Sequence, residues 1–350
     1  MRSVNSPNCW RSSPVNRMAM MQPEVPPGPR PVHHTRTGFR NPPGSPRRPA
    51  ISGELAREAA HFMGELIRLA GHNPLPADHV IPEPLALAGY QQLGQRDKLL
   101  WLGHASFLLQ LNGTTFLTDP YLTEYAAPVP TRGTRRLIPA AVAIESLPPV
   151  DCVLLSHNHY DHLDSKALRR LARRFPQAPV VVPLGLAAML RQLGFRQVVE
   201  LDWYQQSRHP QFAITAVPAI HMSRRGLFDF NKTLWCGFAL EAGGQRIYFA
   251  GDTAYGPVFK DIGERCGPFD LGLVPIGAYQ PRSLMASVHT TPEEAVRIGI
   301  DINARHLIGM HWGTIRLTTE PMDEPPRRFL AAPGEVSRQV MKIGESLALH

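Results

Sequence analysis

One short segment, residues 156–162, carries the residues with the clearest chemical potential, and it reads Ser-His-Asn-His-Tyr-Asp-His. It begins at the end of an apolar run over 151–156 that is typical of a buried strand. The segment therefore lies in the loop at the end of that strand. Because His157 and His159 alternate, an extended backbone would point both imidazoles in the same direction. Imidazole and carboxylate groups are ligands that zinc accepts. The segment therefore predicts a site with two neighbouring metal positions.

Two metal ions need more ligands than this segment supplies. Three further candidates follow predicted strands later in the chain: His221, Asp252 and His311. A single histidine at a strand end is more often structural than a ligand. Taken together with segment 156–162, however, these strand-end residues favour a dinuclear site built from nitrogen and oxygen ligands.

Short strands and helices alternate from residue 98 onward. The dipeptide Asn112-Gly113 between two strand-like runs predicts a hairpin turn. A helix is predicted to start at Thr291, because Pro292 and Glu294 complete a capping box with proline at the first helical position. The predicted strands cover 98–102, 106–111, 114–118, 151–156, 179–183, 212–217, 234–240, 246–250, 271–276 and 307–310, and the predicted helices cover 165–175, 185–194 and 291–302.

Residues 1–50 are rich in proline and arginine and poor in aromatic residues, so they bury too little surface to offset the entropy of ordering. We predict a disordered tail over 1–50 and a folded domain over 51–350. Within that domain, 51–97 is predicted to be a helical N-terminal extension, because apolar residues recur at helical spacing over 51–71. This helix is expected to pack on the main domain. Contact with a membrane or with a second copy of the chain is the alternative.

Most of the positive charge lies in the predicted tail. The net charge of the 350 residues is +8, of which residues 1–50 carry +7 and the remainder about +1. A fold that binds nucleic acid should be basic in its folded part, so nucleic acid is not expected as a partner. The four cysteines form no Cys-x-x-Cys pair, and no secretory signal pattern is visible, which indicates a cytoplasmic location. No uncharged apolar run reaches the ~18 residues that span a bilayer, so any membrane contact would be peripheral.

The order of these candidate residues resembles the metallo-β-lactamase superfamily over roughly residues 95–320. The family implies an α/β fold, a four-layer αββα sandwich, with two Zn²⁺ ions per chain at one edge of the two sheets. A hydroxide held between the metals would be the nucleophile, because the metals lower the pKa of bound water. By position, the resemblance assigns His157, His159 and His221 to the first zinc, Asp161, His162 and His311 to the second, Asp252 to both, and Asp119 to the orientation of a ligand histidine.

A narrower resemblance, to phospholipases D that hydrolyse N-acyl-phosphatidylethanolamine, rests on blocks across 98–315. The blocks are 101–105, 156–164, 200–203, 267–271, 275–279, 289–298 and 311–314. They imply a zinc-dependent phosphodiesterase that converts N-acyl-phosphatidylethanolamine-like lipids to phosphatidic acid and an N-acylethanolamine. The expected catalytic residues are Asp161, Asp252 and His289, and the expected substrate contacts are Tyr160 and Tyr279.

His289 lies two residues before the predicted helix cap, where the helix dipole would favour a neutral imidazole. A neutral His289 would be able to donate a hydrogen bond to a substrate oxygen, and the alternative is a solvated loop histidine. Residues 226–230 depart from the family pattern in a region expected to line the substrate groove, so the acyl-chain preference stays open.

The same dinuclear site would also serve a lactonase or another small phosphoester or ester hydrolase, which is the alternative enzyme class. A nuclease would need a basic arm to clamp RNA, and a folded part with a charge of about +1 offers none. A non-enzymatic scaffold would be expected to have lost ligand residues, whereas all seven positions are filled. The expected partners are a phospholipid substrate, a membrane contacted peripherally and, from the family, a second copy in a homodimer.

Overall fold

Two seven-stranded β-sheets form the centre of the computed structural model, which describes residues 31–50, 52–69, 75–129 and 132–349. The strands are β1 (Lys98–Gly103), β2 (Ser106–Leu111), β3 (Thr114–Thr118), β4 (Tyr125–Val129), β5 (Arg132–Arg135), β6 (Cys152–Leu154), β7 (Val180–Pro183), β8 (Val198–Leu201), β9 (Gln206–His209), β10 (Phe212–Val217), β11 (Gly237–Ala242), β12 (Gln245–Phe249), β13 (Phe269–Pro275), β14 (Ala304–Met310), β15 (Ser337–Gln339) and β16 (Ser346–Ala348). The helices are α1 (Gly53–Leu69), α2 (Glu83–Gln92), α3 (Ser165–Arg174), α4 (Ala187–Leu193), α5 (Val258–Cys266), α6 (Arg282–Met285), α7 (Pro292–Asp301) and α8 (Glu324–Ala331).

The first sheet has the order β16-β1-β2-β3-β6-β7-β8, and the second has the order β15-β14-β13-β12-β11-β10-β9. In the first sheet β3, β6, β7 and β8 are parallel, and in the second β12, β13, β14 and β15 are parallel. Parallel strands bring their carboxyl ends to the same edge of a sheet. The loops at these strand ends are therefore neighbours in space, and they carry the candidate ligands.

The two sheets pack face to face around one apolar core. Phe116 on β3 and Phe212 on β10 meet edge to face across the core, with ring centroids 4.9 Å apart. Helix α2 covers the first sheet at β1 and β16, and α7 covers the second at β13 and β14. The predicted αββα sandwich is confirmed.

Local sequence signals explain several element ends. Asn112 and Gly113 both have positive φ, 47° and 76°, and connect β2 to β3 as predicted. The predicted capping box starts α7: Thr291 accepts from the amide of Glu294, whose carboxylate accepts from the amide of Thr291. Asp164 caps α3 by accepting hydrogen bonds from the amides of Lys166 and Ala167. Among the described residues, no helix is long and apolar enough to cross a membrane.

The first 20 described residues, 31–50, pack against the domain, and we call them the strap. The two carboxylate oxygens of Asp202 lie 2.6 Å from Nε2 of His33 and 2.7 Å from Nε2 of His34. The amide of Phe39 donates to the carbonyl of Asn231 at 2.8 Å. The prediction of a disordered tail over 1–50 is therefore wrong for the strap, because specific polar contacts order a segment with little apolar surface to bury. For residues 1–30 the prediction lies outside the described part of the chain.

Helix α1 confirms the helix predicted over 51–71, but none of its residues is buried. Met63 and Ile67 are 54% and 70% exposed. With Leu66 they line one side of a groove of about 850 Å³, whose other side is formed by residues after β3 and around β5. The helix thus borders the domain without joining its core. Contact with a membrane or a second copy stays a prediction.

Candidate metal centre

The seven predicted ligands meet at one edge of the sandwich. Segment 156–162 follows β6 of the first sheet, while His221, Asp252 and His311 follow β10, β12 and β14 of the second. The donor atoms form two groups, and within each group they all lie within 4.8 Å of one another. Both groups are inside the protein, so the structure brings together residues that are far apart in the sequence.

The first group consists of His157, His159, His221 and Asp252. Nδ1 of His159 lies 2.9 Å from Nε2 of His157 and 3.1 Å from Nε2 of His221. Oδ2 of Asp252 lies 3.9 Å and 3.7 Å from the same two Nε2 atoms. Since a zinc ion binds nitrogen at about 2.0–2.1 Å, four donors at these separations can surround one ion.

The second group consists of His104, Asp161, His162 and His311. Nε2 of His162 and Nε2 of His311 are 3.3 Å apart. Oδ2 of Asp161 lies 3.6 Å from the first of these atoms and 3.7 Å from the second. This arrangement provides a second set of donors directly beside the first.

Asp252 lies between the two groups. Its Oδ2, which faces the first group, is 3.2 Å from Nε2 of His162, and its Oδ1 is 3.0 Å from Nε2 of His311. Oδ1 is buried and makes no hydrogen bond of good geometry in the described structure. A buried carboxylate oxygen without such a partner is costly, and a cation between the groups would satisfy it. The residues present therefore fit bound metal, and Asp252 faces both donor groups.

Hydrogen bonds fix which nitrogen of each imidazole faces the site. Nδ1 of His162 donates to Oδ2 of Asp119 at 2.6 Å, which leaves Nε2 toward Asp252. Asp119 also accepts from the amide and hydroxyl of Ser156. Nδ1 of His221 donates to the carbonyl of Val288 at 2.8 Å. Such outer contacts set the tautomer and orientation of metal-binding histidines, and Asp119 lies where the sequence places it because β3 runs parallel to β6.

His104 belongs to the second group, although its sequence context does not predict it as a ligand. Its Nε2 donates to Oδ2 of Asp161 at 2.9 Å, and its side chain is completely enclosed. Burial lowers the pKa of His104 to about 3, so the imidazole is neutral. The only sequence signal is its place in the block 101–105, since no other titratable residue lies within five positions of it.

Three residues of the centre have positive φ without being glycine: His104 at 54°, Asp119 at 30° and His311 at 63°. This left-handed conformation costs of order 1 kcal/mol or more for such residues and is concentrated at functional sites. The amide of His311 donates to the carbonyl of His104 at 3.1 Å, which joins the two sheets at the site. Backbone strain and a cross-sheet hydrogen bond thus coincide at the donor groups.

The two groups differ in charge. Burial lowers the pKa of His157, His159 and His221, so their imidazoles are neutral and their lone pairs are available. Burial also opposes charge on His311, but Asp252 and Asp161 outweigh it and raise the pKa of His311 to about 9. Metal binding to the second group therefore has to displace a proton from this histidine.

His289 lies beside both groups. Its ring centroid is 5.2 Å from that of His221 and 5.5 Å from that of His311. Burial lowers the pKa of His289 to about 4. Asp252 opposes this shift and His311 adds to it, each with a smaller effect. The imidazole is therefore neutral near pH 7.

The two predicted substrate tyrosines occupy different environments. The hydroxyl of Tyr160 donates to the carbonyl of Arg225 at 2.9 Å, and the Arg225 guanidinium lies 3.9 Å from the ring centroid. Tyr279 is completely buried, and its hydroxyl donates to Glu324 at 2.6 Å. Tyr279 is thus enclosed and hydrogen-bonded within the protein, and a substrate contact stays a prediction for both tyrosines.

Comparison with known proteins agrees with this geometry. Residues 114–312, more than half of the chain, match the model of the β-lactamase superfamily domain. The chain is 42% identical over 236 residues to N-acyl-phosphatidylethanolamine-hydrolyzing phospholipase D 1 of Caenorhabditis elegans, a match that covers 64% of this chain and 66% of the worm protein. It is 30% identical over 257 residues to a metal-dependent hydrolase of Pyrococcus furiosus, which covers 72% of this chain and 99% of that protein.

A solved structure, the isothiocyanate hydrolase from Delia radicum gut bacteria, has the same fold. Its TM-score is 0.59 at 23% sequence identity, and the match covers 72% of this chain and 98% of the other. Two donor groups at the sheet edge, the matched family model and these relatives lead to one conclusion. The chain belongs to the metallo-β-lactamase superfamily, is close to the phospholipases D that hydrolyse N-acyl-phosphatidylethanolamine, and is a metal-dependent hydrolase.

Proposed function

We propose that this hydrolase binds two Zn²⁺ ions per chain and cleaves a phosphodiester bond of N-acyl-phosphatidylethanolamine-like lipids, releasing phosphatidic acid and an N-acylethanolamine. The observation that carries the proposal is the pair of donor groups that meet at Asp252. Together they offer more nitrogen and oxygen donors than one tetrahedral zinc uses. The identity with the worm phospholipase D supports a phospholipid as the substrate class.

Bound zinc would supply Lewis-acid activation of water and neutralise charge that develops on the phosphate. The residues of this chain provide orientation. Asp252 keeps the two groups at a fixed separation, and Asp119 holds Nε2 of His162 toward the site. His289, neutral near pH 7, is able to donate a ring N–H to a phosphoryl oxygen. His104 donates its Nε2 proton to Asp161 and so fixes that carboxylate.

The groove beside α1 supports a lipid rather than a small lactone. Its volume is about 850 Å³, within the range of sites for drug-sized or larger ligands. Its apolar lining suits an acyl chain, and is formed by Met63, Leu66, Ile67, Leu122, Leu137 and Ile138. Arg135 in the same lining pairs with Glu124. We therefore assign part of the lipid substrate to this groove.

Hydrolysis in ¹⁸O-labelled water tests the bond that breaks. Attack at phosphorus places the solvent oxygen in phosphatidic acid, whereas attack at a carboxyl ester places it in a fatty acid or an opened lactone. We expect label in phosphatidic acid alone, and we expect activity to disappear with a chelator and return with Zn²⁺. Label in a carboxylate product, with none in the phosphate, would instead establish the lactonase or ester-hydrolase class.

A further inference from the structure

The loop after His221 exposes three large apolar side chains. Leu227 is 78% exposed, Phe228 is 85% exposed and Phe230 is 44% exposed. The loop that carries these side chains, residues 224–232, is ordered. Asp229 accepts hydrogen bonds from the amides of Arg225 and Gly226 at 3.0 Å and 2.8 Å, which closes a tight turn around the exposed residues. An ordered turn that presents aromatic and aliphatic side chains to water is a feature of interaction sites.

The base of the loop is anchored to the metal centre. The amide of Arg224 donates to Oδ1 of Asn158 at 2.9 Å. The guanidinium of Arg225 donates to the carbonyls of Asn158 and Leu163 at 2.7 Å and 2.8 Å, and it stacks on Tyr160. These contacts join the loop to Asn158 and Tyr160 within segment 156–162 and to Leu163 directly after it. The exposed tip is therefore held at a fixed position relative to the donor groups.

Cationic side chains surround this tip. Arg224 and Lys232 are exposed on the loop itself, and the strap packs against it through the hydrogen bond between Phe39 and Asn231. The guanidinium of Arg48 lies 4.6 Å from the ring centroid of Phe230. The strap adds the exposed residues Arg36, Arg40, Arg47 and Arg48. The ranges 36–48 and 224–232 together contain one acidic residue, Asp229. Its carboxylate accepts hydrogen bonds from backbone amides.

We propose that this surface, the loop 224–232 together with strap residues 36–48, docks on an anionic phospholipid membrane. Leu227, Phe228 and Phe230 enter the boundary between headgroups and acyl chains, and the arginines and lysine contact lipid phosphates. A second copy of the chain is a poor occupant, because a symmetric contact would place the same cations against one another. The role of this docking rests on the proposed function, because docking here brings the metal centre to its lipid. Binding to vesicles can nevertheless be measured without hydrolysis.

Sedimentation of the full chain with phosphatidylcholine vesicles, with and without phosphatidylglycerol, tests the surface. We expect binding to the anionic vesicles, weakened at high salt. The double variant Leu227→Ser/Phe228→Ser should bind at least roughly tenfold more weakly, because it removes two inserted apolar side chains. Leu330→Ser, on α8, is the matched control: that leucine is also exposed, at 53%, but lies outside the surface. Arg224→Gln should weaken binding to anionic vesicles only, whereas Arg173→Gln on α3 should not.

Metal content and thermal unfolding of each variant check that the fold is intact. Equal vesicle binding by wild type and the double variant would overturn the proposal, and so would an absence of binding to either vesicle. Hydrolysis of lipid in detergent micelles by a protein that does not bind vesicles would retain the proposed function and reject this surface. Vesicle binding that depends on Leu227 and Phe228, without hydrolysis of any phospholipid, would retain the surface and reject the proposed function.

Discussion

The side-chain oxygen of Asn41 accepts a hydrogen bond from the backbone amide of His221 at 2.9 Å. The same oxygen accepts the indole N–H of Trp235 at 3.0 Å. Asn41 belongs to the strap, 180 positions before this histidine. A segment whose composition predicts disorder therefore fixes the backbone of a donor in the first group, and the strap is part of the construction of the metal centre.

Asn41→Ala should weaken metal binding and lower the free energy of unfolding. The buried amide of His221 would lose its acceptor, at a cost of about 1–3 kcal/mol, while the indole N–H of Trp235 would keep the carbonyl of Ala219, 3.0 Å away. We expect roughly a tenfold loss of zinc affinity, measured by competition with a chromophoric chelator. Asn41→Asp keeps an acceptor oxygen and should recover much of the affinity. Wild-type affinity in Asn41→Ala would show that the strap is dispensable for the site.

Asp202→Asn should loosen the strap at neutral pH. Burial raises the pKa of Asp202, but the hydrogen bonds with His33 and His34 outweigh it, and the pKa is lowered. A carboxyl group whose pKa is lower in the folded state stabilises that state at pH values above its ordinary pKa of about 3.9. This stabilisation is lost as the pH falls through the folded-state pKa. Hydrogen exchange at the strap amides should therefore be faster in the variant at pH 7, with the difference shrinking below about pH 4. Asp323→Asn, which alters an exposed ion pair, should leave this exchange unchanged.

Protein purified without chelator should contain two metal equivalents per chain. Asp252→Asn should lose metal and activity together, because this carboxylate faces both donor groups. Asp119→Asn removes an orienting contact and should cost only about 10–100-fold. Metal analysis and steady-state kinetics of the two variants give the comparison. One equivalent at full activity, or near-normal turnover in Asp252→Asn, would contradict the dinuclear assignment.

His104→Gln should reduce the metal content toward one equivalent. The substitution removes the imidazole that donates to Asp161, while a non-glycine residue still occupies the backbone position at φ 54°. The first group does not include His104, so its metal should remain. Metal analysis distinguishes this outcome from general unfolding, in which both metals would be lost. Two tightly held metals with normal turnover would reduce His104 to a packing residue.

His289→Ala should lower kcat with little change in metal content. A positioned hydrogen-bond donor to charge that develops in the transition state contributes about 10²–10³-fold. Because the pKa of His289 is about 4, its protonation should not limit activity between pH 6 and pH 8. A kcat close to that of the wild type would show that the imidazole does not contact substrate.

The residues at strand ends could be predicted because strand and ligand signals are local. The run 212–217 coincides with β10, and the predicted ligands lie within a few positions of strand ends. Strand 234–240 starts instead at Gly237, because residues before it bend to pair with other loops. The three-residue strands β15 and β16 carry too few residues for an alternating pattern, and only their pairing with β14 and β1 defines them.

His104 and the strap could not be predicted because their contacts are long-range. His104 meets Asp161 only after β1 and β6 are placed in the same sheet. The strap is held by single acceptors, Asp202 and the oxygen of Asn41, rather than by an apolar face. The amino-acid composition of a segment does not reveal such pairings. The seven predicted ligands and the unpredicted His104 therefore differ for one reason: a local pattern identifies the residues at the end of its own strand, but not a residue that approaches from a distant one.

The ring of His33 stacks on Trp203 with centroids 4.1 Å apart, and the indole N–H of Trp203 donates to the carbonyl of Trp235 at 2.7 Å. Both indoles that the strap contacts are therefore optical reporters of its position. Undocking would remove an imidazole from one ring and an acceptor from the other, which changes both the quenching and the polarity around them. Intrinsic fluorescence would then record docking and release of the strap in real time, without a label, even while metal and lipid are exchanged.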